Sequence, residues 1–230
     1  GEHLAAVRID SGDLSWLSKM ARRMLDEAGL TDTGIVLSND LDEYTIKSIL
    51  DEGAPVTSWG VGTKLATAYE QPTLGGVFKL SAVRQKGQAQ WTRRLKISET
   101  AAKLTTPGVL DVRRYYHDSG RLAGDMVFDV TSGVDGREVI IDPADDLRQK
   151  KLSGLRFETL LKPLARNGKS VLDGLGTSAL AAQARAKEGL ACLDESQLRM
   201  LNPHTYPVGL DCKLFEVRRS LVSELRDVVP

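Results

Sequence analysis

Over its first 80 residues the chain alternates short apolar runs with longer segments that carry apolar side chains at helical spacing. The elements that this pattern predicts are, in order, a strand ending at 8–10, a helix over 14–28, a strand at 35–37, a helix over 41–52 and a strand at 55–59. Helices of this length permit right-handed crossovers, so we expect the three strands to be parallel.

Each predicted strand ends in a cluster of polar or small residues. The candidate site residues are Arg8, Asp10 and Asp13 after the first strand, Ser38, Asn39 and Asp40 after the second, and Gly60, Gly62 and Thr63 after the third. Because the carboxyl ends of parallel strands meet at one edge, where α/β folds bind their ligands, we expect a ligand site there. A purely structural alternative is that Asp10 or Asp13 caps the first helix and is neutralised by Arg8. Asn39 or Asp40 is the expected cap of the second helix.

The residue types in these clusters suit an anionic, phosphorylated sugar and a second anionic group. Glycines in the third cluster let the backbone approach an anion closely, and Thr63 adds a hydroxyl donor. The planar guanidinium of Arg8 suits a carboxylate or a phosphate, and the aspartates can hold sugar hydroxyls or Mg²⁺. The glycine loop matches neither GxxxxGK[ST] nor GxGxxG, so a nucleotide triphosphatase and a Rossmann dinucleotide site are not expected.

From residue 77 the pattern changes to a β-rich, mostly antiparallel segment and then to a helical tail. Predicted strands cover 77–83, 109–116, 125–130, 139–141 and 156–161, with hairpin turns at 118–120 and 167–168. Predicted helices cover 177–188, 195–201 and 211–226. We therefore predict an α/β fold in three parts, which are a βα portion at 1–80, a β-rich segment at 81–172 and a helical segment at 173–230.

Composition narrows the class of protein. The 230 residues carry 31 basic and 31 acidic side chains, so nucleic acid and membrane surfaces are not expected partners. Cys192 and Cys212 lie far apart without a CxxC spacing, so we expect no zinc site and a reduced, cytoplasmic location. The histidines, His3, His117 and His204, have no nearby acid or nucleophile at a telling spacing, so we interpret them as surface or local structural residues.

The motifs together resemble the C-terminal part of the nicotinate phosphoribosyltransferase family. They are Arg8-Ile-Asp-Ser-Gly-Asp-Leu14, Ser38-Asn-Asp-Leu-Asp-Glu-Tyr44, Trp59-Gly-Val-Gly-Thr63, and the run from Gln71-Pro72 through Leu74-Gly-Gly-Val-Phe-Lys-Leu80. Lys96-Ile-Ser98, Thr106-Pro-Gly108 and the segment from Pro203 to Tyr206-Pro-Val208 also fit. The resemblance covers essentially the whole chain, and the first 80 residues carry it most specifically.

The resemblance implies an irregular βα-barrel of the type II phosphoribosyltransferase kind, joined to a second domain. It implies an enzyme that joins nicotinate to phosphoribosyl pyrophosphate in NAD biosynthesis, with coupled ATP hydrolysis, Mg²⁺ and a homodimeric assembly. By this match Arg8 contacts the nicotinate carboxylate, and Gly62 and Thr63 hold the 5-phosphate. The catalytic candidates Asp10 and Asp13 face the ribose hydroxyls and Mg²⁺, with Asp10 as the metal ligand.

By the same match Asn39 and Asp40 also face the ribose and Mg²⁺, and Ser38 and Gly60 complete the predicted substrate-binding set.

Two features depart from the family pattern. The histidine that becomes phosphorylated in the family lies upstream of the RxDSGD strand, and His3 does not stand in that motif. Three βα units are also too few for a barrel of eight strands. We therefore expect a fragment, or one of two chains, that needs an N-terminal half. The alternatives are a related nicotinamide or quinolinate phosphoribosyltransferase, and a non-catalytic phosphosugar-binding or assembly subunit.

Overall fold

The structure is a computed structural model that describes residues 4–97, 104–171 and 178–228. His3, Ser98 and Thr177, which figure in the predictions above, lie outside the described residues. The chain divides into two units, Gly1–Val77 and Phe78–Pro230, which we call unit 1 and unit 2.

Unit 1 alternates strands and helices in the predicted order. Its elements are β1 (Ala6–Ile9), α1 (Leu14–Glu27), β2 (Gly34–Asn39), α2 (Glu43–Asp51), β3 (Ser58–Val61) and the short α3 (Thr63–Ala66). The sheet has the order β1-β2-β3, and both pairings are parallel. The predictions of parallel strands and of a shared carboxyl edge are therefore confirmed.

Helices cover one face of this sheet. Ile35 and Leu37 of β2 are fully buried in one cluster with apolar residues of both long helices, and Val7 and Ile9 of β1 pack against the same cluster. Alternation along β1 turns Arg8 to the other face, where 66% of its side chain is exposed. The sheet therefore presents a polar, open face opposite its helix-covered core.

The third strand begins later than predicted, at Ser58 instead of residue 55. The cause is Thr57, whose Oγ1 accepts a hydrogen bond from the backbone N–H of Ile35 at 2.9 Å and donates one to its carbonyl. The backbone N–H of Thr57 also donates to the Ile35 carbonyl, at 2.9 Å, so the hydroxyl replaces the strand carbonyl that would accept from the Ile35 N–H. Regular pairing with β2 starts one residue further on.

Unit 2 is built on a six-stranded mixed sheet. Its strands are β6 (Leu110–Tyr116), β7 (Leu122–Asp129), β8 (Val139–Ile141), β9 (Gln149–Lys151), β10 (Arg156–Thr159) and β13 (Val208–Asp211), and their order is β10-β6-β7-β13-β8-β9. Two small hairpins are formed by β4 (Ala82–Val83) with β5 (Thr92–Arg93), and by β11 (Ala165–Arg166) with β12 (Lys169–Ser170). The helices are α4 (Ala179–Ala191), a 3-10 turn (Glu195–Gln197) and α5 (Cys212–Val228).

The hairpin predictions for unit 2 are confirmed. β6 and β7 pair antiparallel across a turn that contains Gly120, and Asn167 and Gly168 both adopt positive φ between β11 and β12. The strand predicted at 77–83 is reduced to Ala82–Val83, since the residues before it form no sheet pairing and Phe78 is fully exposed. The predicted helix at 195–201 is a single 3-10 turn.

The strand β13 was not predicted, although it lies inside the sheet between β7 and β8. It pairs parallel to β7 and antiparallel to β8, so the predicted helical segment supplies a strand to the sheet of the middle segment. A Cβ atom at Gly209 would stand 2.8 Å from the carbonyl oxygen of Ile141, so only glycine lets β13 approach β8 this closely. A four-residue strand beside a proline carries almost no periodicity by which to detect it.

Two further features bear on the class of protein. Cys192 and Cys212 are both free thiols. Within the described ranges, no helix has the length and apolar character needed to cross a membrane.

Candidate functional site at the carboxyl edge of the β1–β3 sheet

Arg8, at the carboxyl end of β1, is the best-defined candidate binding group of unit 1. Its Nε donates a 2.8 Å hydrogen bond to Ser38 Oγ on the neighbouring strand, and its Nη2 donates to Asp10 Oδ2 at 3.0 Å. Among the described residues, no hydrogen bond engages its Nη1 group. Two bonds therefore fix the plane of the guanidinium while one amino group faces solvent.

Stability alone gives little reason for this arrangement. The ion pair of Arg8 with Asp10 is exposed, with 66% and 57% of the two side chains accessible. Exposed pairs of this kind contribute about 0–1 kcal/mol to folding. A fixed, exposed guanidinium is better suited to binding an anion that is planar, such as a carboxylate.

Gly60 leaves the space that the side chain of Ser38 needs, and Ser38 accepts the hydrogen bond that holds Arg8. The register of β2 with β3 places Gly60 opposite Ser38, and a Cβ atom at position 60 would lie 2.9 Å from Ser38 Cβ. Any side chain there would push against the serine that orients the guanidinium. The structure thus gives this glycine a steric role, and contact with a substrate stays a prediction for it.

The two candidate catalytic aspartates are placed differently. Asp13 caps α1, since its Oδ1 accepts a 2.9 Å hydrogen bond from the backbone N–H of Trp16. The capping part of the structural alternative is therefore confirmed for Asp13, but Arg8 pairs with Asp10 and not with this cap. Asp10 makes no cap and points its carboxylate at Arg8.

The second cluster lies beside the first. Asp13 shares a cavity of about 360 Å³ with Asn39 and Asp40, and Glu52 adds a further carboxylate to its lining. Asn39 Oδ1 accepts a 2.7 Å bond from the backbone N–H of Asp40. Three carboxylates give this cavity a negative lining, which suits hydroxyl groups or a cation and disfavours a bare phosphate.

The lining does not form a metal site by itself. No group of three or more histidine, cysteine, aspartate or glutamate side chains within the described ranges is arranged to hold a metal ion. Mg²⁺ needs only one or two protein carboxylates when substrate phosphates supply its other ligands. The exposed carboxylate of Asp10 fits that second arrangement, and its role as a metal ligand stays a prediction.

The second helix is capped by Asp42, and the prediction of Asn39 or Asp40 as its cap is wrong. Asp42 Oδ1 accepts from the backbone N–H of Thr45 at 2.8 Å, and Thr45 Oγ1 accepts from the N–H of Asp42 at 2.9 Å, which closes a capping box. The helix starts late because Leu41, only 3% exposed, packs into the core from the preceding loop.

Asp42 also forms an ion pair with Lys64, which sequence reasoning missed. Lys64 follows the glycine loop and lies in the short α3, so the pair links the second and third loops directly. The hydrogen bond from Lys64, with those from Thr45, holds the pKa of Asp42 well below its ordinary value, and the same bond raises the pKa of Lys64. The sequence carried a signal for the cap, the Asp42-x-x-Thr45 spacing, which is a capping box two residues after Asp40 in the same loop.

The glycine loop itself is short. Gly62 stands at the start of α3 without a side-chain cap, and Thr63 is the first residue of that helix. A cavity of about 520 Å³ lies beside it, lined by Asp42, Lys64 and Tyr69 among others. Lys64 Nζ lies 5.5 Å from the centre of the Tyr69 ring. The lining of this cavity contains Lys64, which is paired with Asp42, and does not contain Gly62 or Thr63.

Two of the three histidines lie within the described residues, and His3 does not. His117 and His204 belong to unit 2, and both are exposed. The backbone N–H of His117 bonds to the Arg121 carbonyl at 2.9 Å across the β6–β7 turn, in keeping with a local structural role.

Comparison with known proteins relates the chain to one family, through a family model that covers part of unit 2 and through relatives that span nearly the whole chain. Residues 111–218 match the model of the nicotinate phosphoribosyltransferase C-terminal domain. The chain is 36% identical to nicotinate phosphoribosyltransferase of Bacillus subtilis over 232 residues, which is 96% of this chain and 46% of that protein. It is 30% identical to the human nicotinate phosphoribosyltransferase over 232 residues, which is 96% of this chain and 41% of that protein.

The fold has a counterpart among solved structures. The crystal structure of human nicotinic acid phosphoribosyltransferase superposes with a TM-score of 0.62 at 24% identity, covering 95% of this chain and 40% of that one. At this identity the likeness shows a shared mixed α/β fold. The chain spans less than half the length of these relatives.

The first prediction concerns Gly60. Gly60→Ala is expected to lower the free energy of unfolding by about 1–3 kcal/mol, because the new methyl group must displace Ser38. Gly75→Ala is the matched control, since a methyl group at position 75 would meet no atom within 4 Å and the backbone there has no positive φ. Urea unfolding of the two variants measures the difference. Equal stability of the two variants would contradict the steric role of Gly60.

The second prediction concerns the ion pair of Asp42. Asp42→Asn keeps a good helix cap but removes the charge that pairs with Lys64, so the variant is expected to unfold more easily at neutral pH. The folded-state pKa of Asp42 is lowered, so its stabilisation is present above the unfolded value of about 3.9 and is lost as the pH falls below it. The gap between variant and wild type should therefore close in acid.

Asp51→Asn provides the control, because it removes an exposed pair with Lys47 on the same helix. Denaturant unfolding over a range of pH distinguishes the two. A gap for Asp42→Asn that is no larger than that for Asp51→Asn, or that persists unchanged in acid, would refute the link between the loops.

Proposed function

Because this chain belongs to the nicotinate phosphoribosyltransferase family, we propose that it forms the C-terminal portion of an enzyme that makes nicotinate mononucleotide and pyrophosphate from nicotinate and phosphoribosyl pyrophosphate. The observation that carries this proposal is the guanidinium of Arg8, which Ser38 and Asp10 hold at the carboxyl edge of the sheet. Nicotinate has one carboxylate, and a fixed guanidinium can bind its two oxygens through parallel hydrogen bonds.

The proposed reaction also needs carboxylates near the ribose, and this edge of the sheet provides them. When pyrophosphate leaves the ribose carbon, positive charge develops on the sugar, and carboxylates placed nearby stabilise that charge. We assign this role to Asp10, with Asp13 and the acidic cavity it shares with Asn39 and Asp40 facing the ribose hydroxyls. Gly62 and Thr63 are assigned to the 5-phosphate.

Mg²⁺ belongs to this proposal as a companion of the substrate. When bound, it would neutralise the charge of the leaving pyrophosphate, and Asp10 is the carboxylate assigned to it. ATP as the coupled co-substrate follows from the family resemblance, and the histidine that couples it would come from additional polypeptide. A homodimer and a cytoplasmic location stay predictions.

We further propose that the β1–β3 sheet is a section of a closed βα-barrel. Within the described residues, β1 and β3 each pair with β2 alone, so both strands leave one edge open. Open strand edges are liable to pair with other chains, and a barrel of eight strands removes them. The open, Arg8-bearing face would then line the interior, and further polypeptide would supply the remaining strands.

The third prediction separates nicotinate from its relatives. Arg8→Ala in the complete enzyme is expected to weaken nicotinate binding by roughly 10- to 100-fold, which corresponds to the loss of about 1.5–3 kcal/mol for a charge-assisted contact. Binding of nicotinamide, which has no carboxylate, should change by less than about threefold. Calorimetric titration of both bases measures the contrast.

Arg8→Lys tests the geometry, because lysine keeps the charge but lacks the planar fork, and nicotinate affinity should fall between the wild type and Arg8→Ala. Equal losses for the acid and the amide would assign Arg8 a structural role. A wild-type preference for the amide or for quinolinate would favour the related phosphoribosyltransferases.

A further inference from the structure

Unit 2 contains a buried arginine without a carboxylate partner among the described residues. Arg218 lies on α5, is 8% exposed, and follows Leu214 and Phe215, which pack against the sheet. Its Nε donates to the carbonyl of Thr105 at 3.4 Å, and its Nη1 donates to the carbonyl of Pro143 at 3.3 Å. Both distances exceed the usual range of about 2.7–3.2 Å, so the guanidinium is only weakly bonded.

The buried carboxylates of unit 2, in contrast to Arg218, all have hydrogen-bond partners at ordinary distances. Asp125 accepts from Arg114 and Tyr206, and Asp129 accepts from Arg93 and Thr131. Asp211 accepts from two backbone N–H groups, those of Asp135 and Lys213. In the part of the chain that the structure describes, no carboxylate forms an ion pair with Arg218.

An isolated buried charge is costly, and arginine cannot escape the cost by losing its proton at physiological pH. Burial lowers the pKa of Arg218 from its ordinary value, but the group remains a cation. A cation retained at this cost is best explained by an anion that compensates it. The position of the group at a cavity provides room for one.

The cavity has a volume of about 360 Å³ and is formed by α5, Leu104 and the turn between β8 and β9. Two further arginines, Arg219 and Arg226, line it. Arg219 and Arg226 are seven residues apart on α5, so they lie on one face of the helix. Arg218 precedes Arg219 by one residue and lies on the adjacent, buried side, where it lines the same cavity.

The lining of the cavity carries more positive than negative side chains, with three arginines and two aspartates. Of the two aspartates in the lining, Asp145 is already engaged by Arg148 at 3.2 Å. Arg219 has only a weak contact with Glu216, at 3.9 Å, and remains largely exposed. Three arginines therefore line this cavity, and its described lining holds one carboxylate without an ion-pair partner among the described residues, that of Asp146.

We propose that this cavity is a binding site for a phosphate-bearing small molecule, with Arg218 as the buried contact and Arg219 and Arg226 at the rim. A phosphate monoester carries nearly two negative charges and three acceptor oxygens, so it can engage several guanidinium groups at once. A carboxylate offers two oxygens and one charge. Phe215 and Val222 supply an apolar wall for the body of the ligand. The site lies wholly in unit 2 and goes beyond the proposed transfer reaction.

The test uses the full-length protein labelled with ¹⁵N, and inorganic phosphate as the probe. The Nε–Hε resonance of Arg218, assigned by its loss in Arg218→Lys, is expected to shift saturably as phosphate is added. The double variant Arg219→Ala/Arg226→Ala should fold normally, because both side chains are exposed, and should weaken phosphate binding by about tenfold. Arg199→Ala, an exposed arginine outside the cavity, is the matched control and should bind as the wild type does.

Three results would overturn the proposal. They are the absence of a shift up to tens of millimolar phosphate, an unchanged affinity in the double variant, and an equal shift with acetate at the same ionic strength. Because the resonance reports on one residue and not on turnover, the outcome is independent of whether the enzyme proposal holds.

Discussion

The arrangement at the sheet edge depends on the two hydrogen bonds that fix the guanidinium of Arg8. One comes from the neighbouring strand, through Ser38, and the other from the loop that follows β1, through Asp10. The parallel register makes the first bond possible, because Arg8 stands opposite Val36 and Ser38 is the next residue on the same face toward the carboxyl edge. Gly60 leaves the space that Ser38 needs, so all three strands contribute to the position of one side chain.

This dependence brings three separate motifs of the sequence together at one edge of the sheet. Arg8 and Asp10 come from the first, Ser38 from the second and Gly60 from the third. The ion pair of Asp42 with Lys64 adds a direct link between the second and third loops. A substitution in any one loop should therefore change the positions of side chains in the other two.

Sequence reasoning found the elements whose signal is local. The helices α1 and α5 repeat apolar residues over several turns, and Asn167-Gly168 encodes its own hairpin geometry. It failed where a tertiary contact decides the outcome. β13 exists because Gly209 fits against Ile141, and the late start of β3 follows from a side-chain bond of Thr57.

The candidate site was predictable to the same degree. The shared edge of the parallel strands follows from helix lengths and spacing, so the neighbourhood of Arg8, Ser38 and Asp10 could be expected. The cap of the second helix could not be predicted in this way, because several polar residues in one loop compete for that role. The burial of Leu41 selects Asp42 among them. Asp13, by contrast, is a cap as the structural alternative held.

If this chain supplies one wall of a phosphoribosyltransferase site that other strands complete, its activity must depend on those strands. The most direct measurement is the initial rate of nicotinate mononucleotide formation by the folded 230-residue chain, with and without polypeptide corresponding to the rest of the family's length. Circular dichroism verifies that the chain alone is folded. We expect no turnover by the chain alone and restored turnover in the completed protein. Turnover by the chain alone at the rate of the completed protein would contradict the shared site.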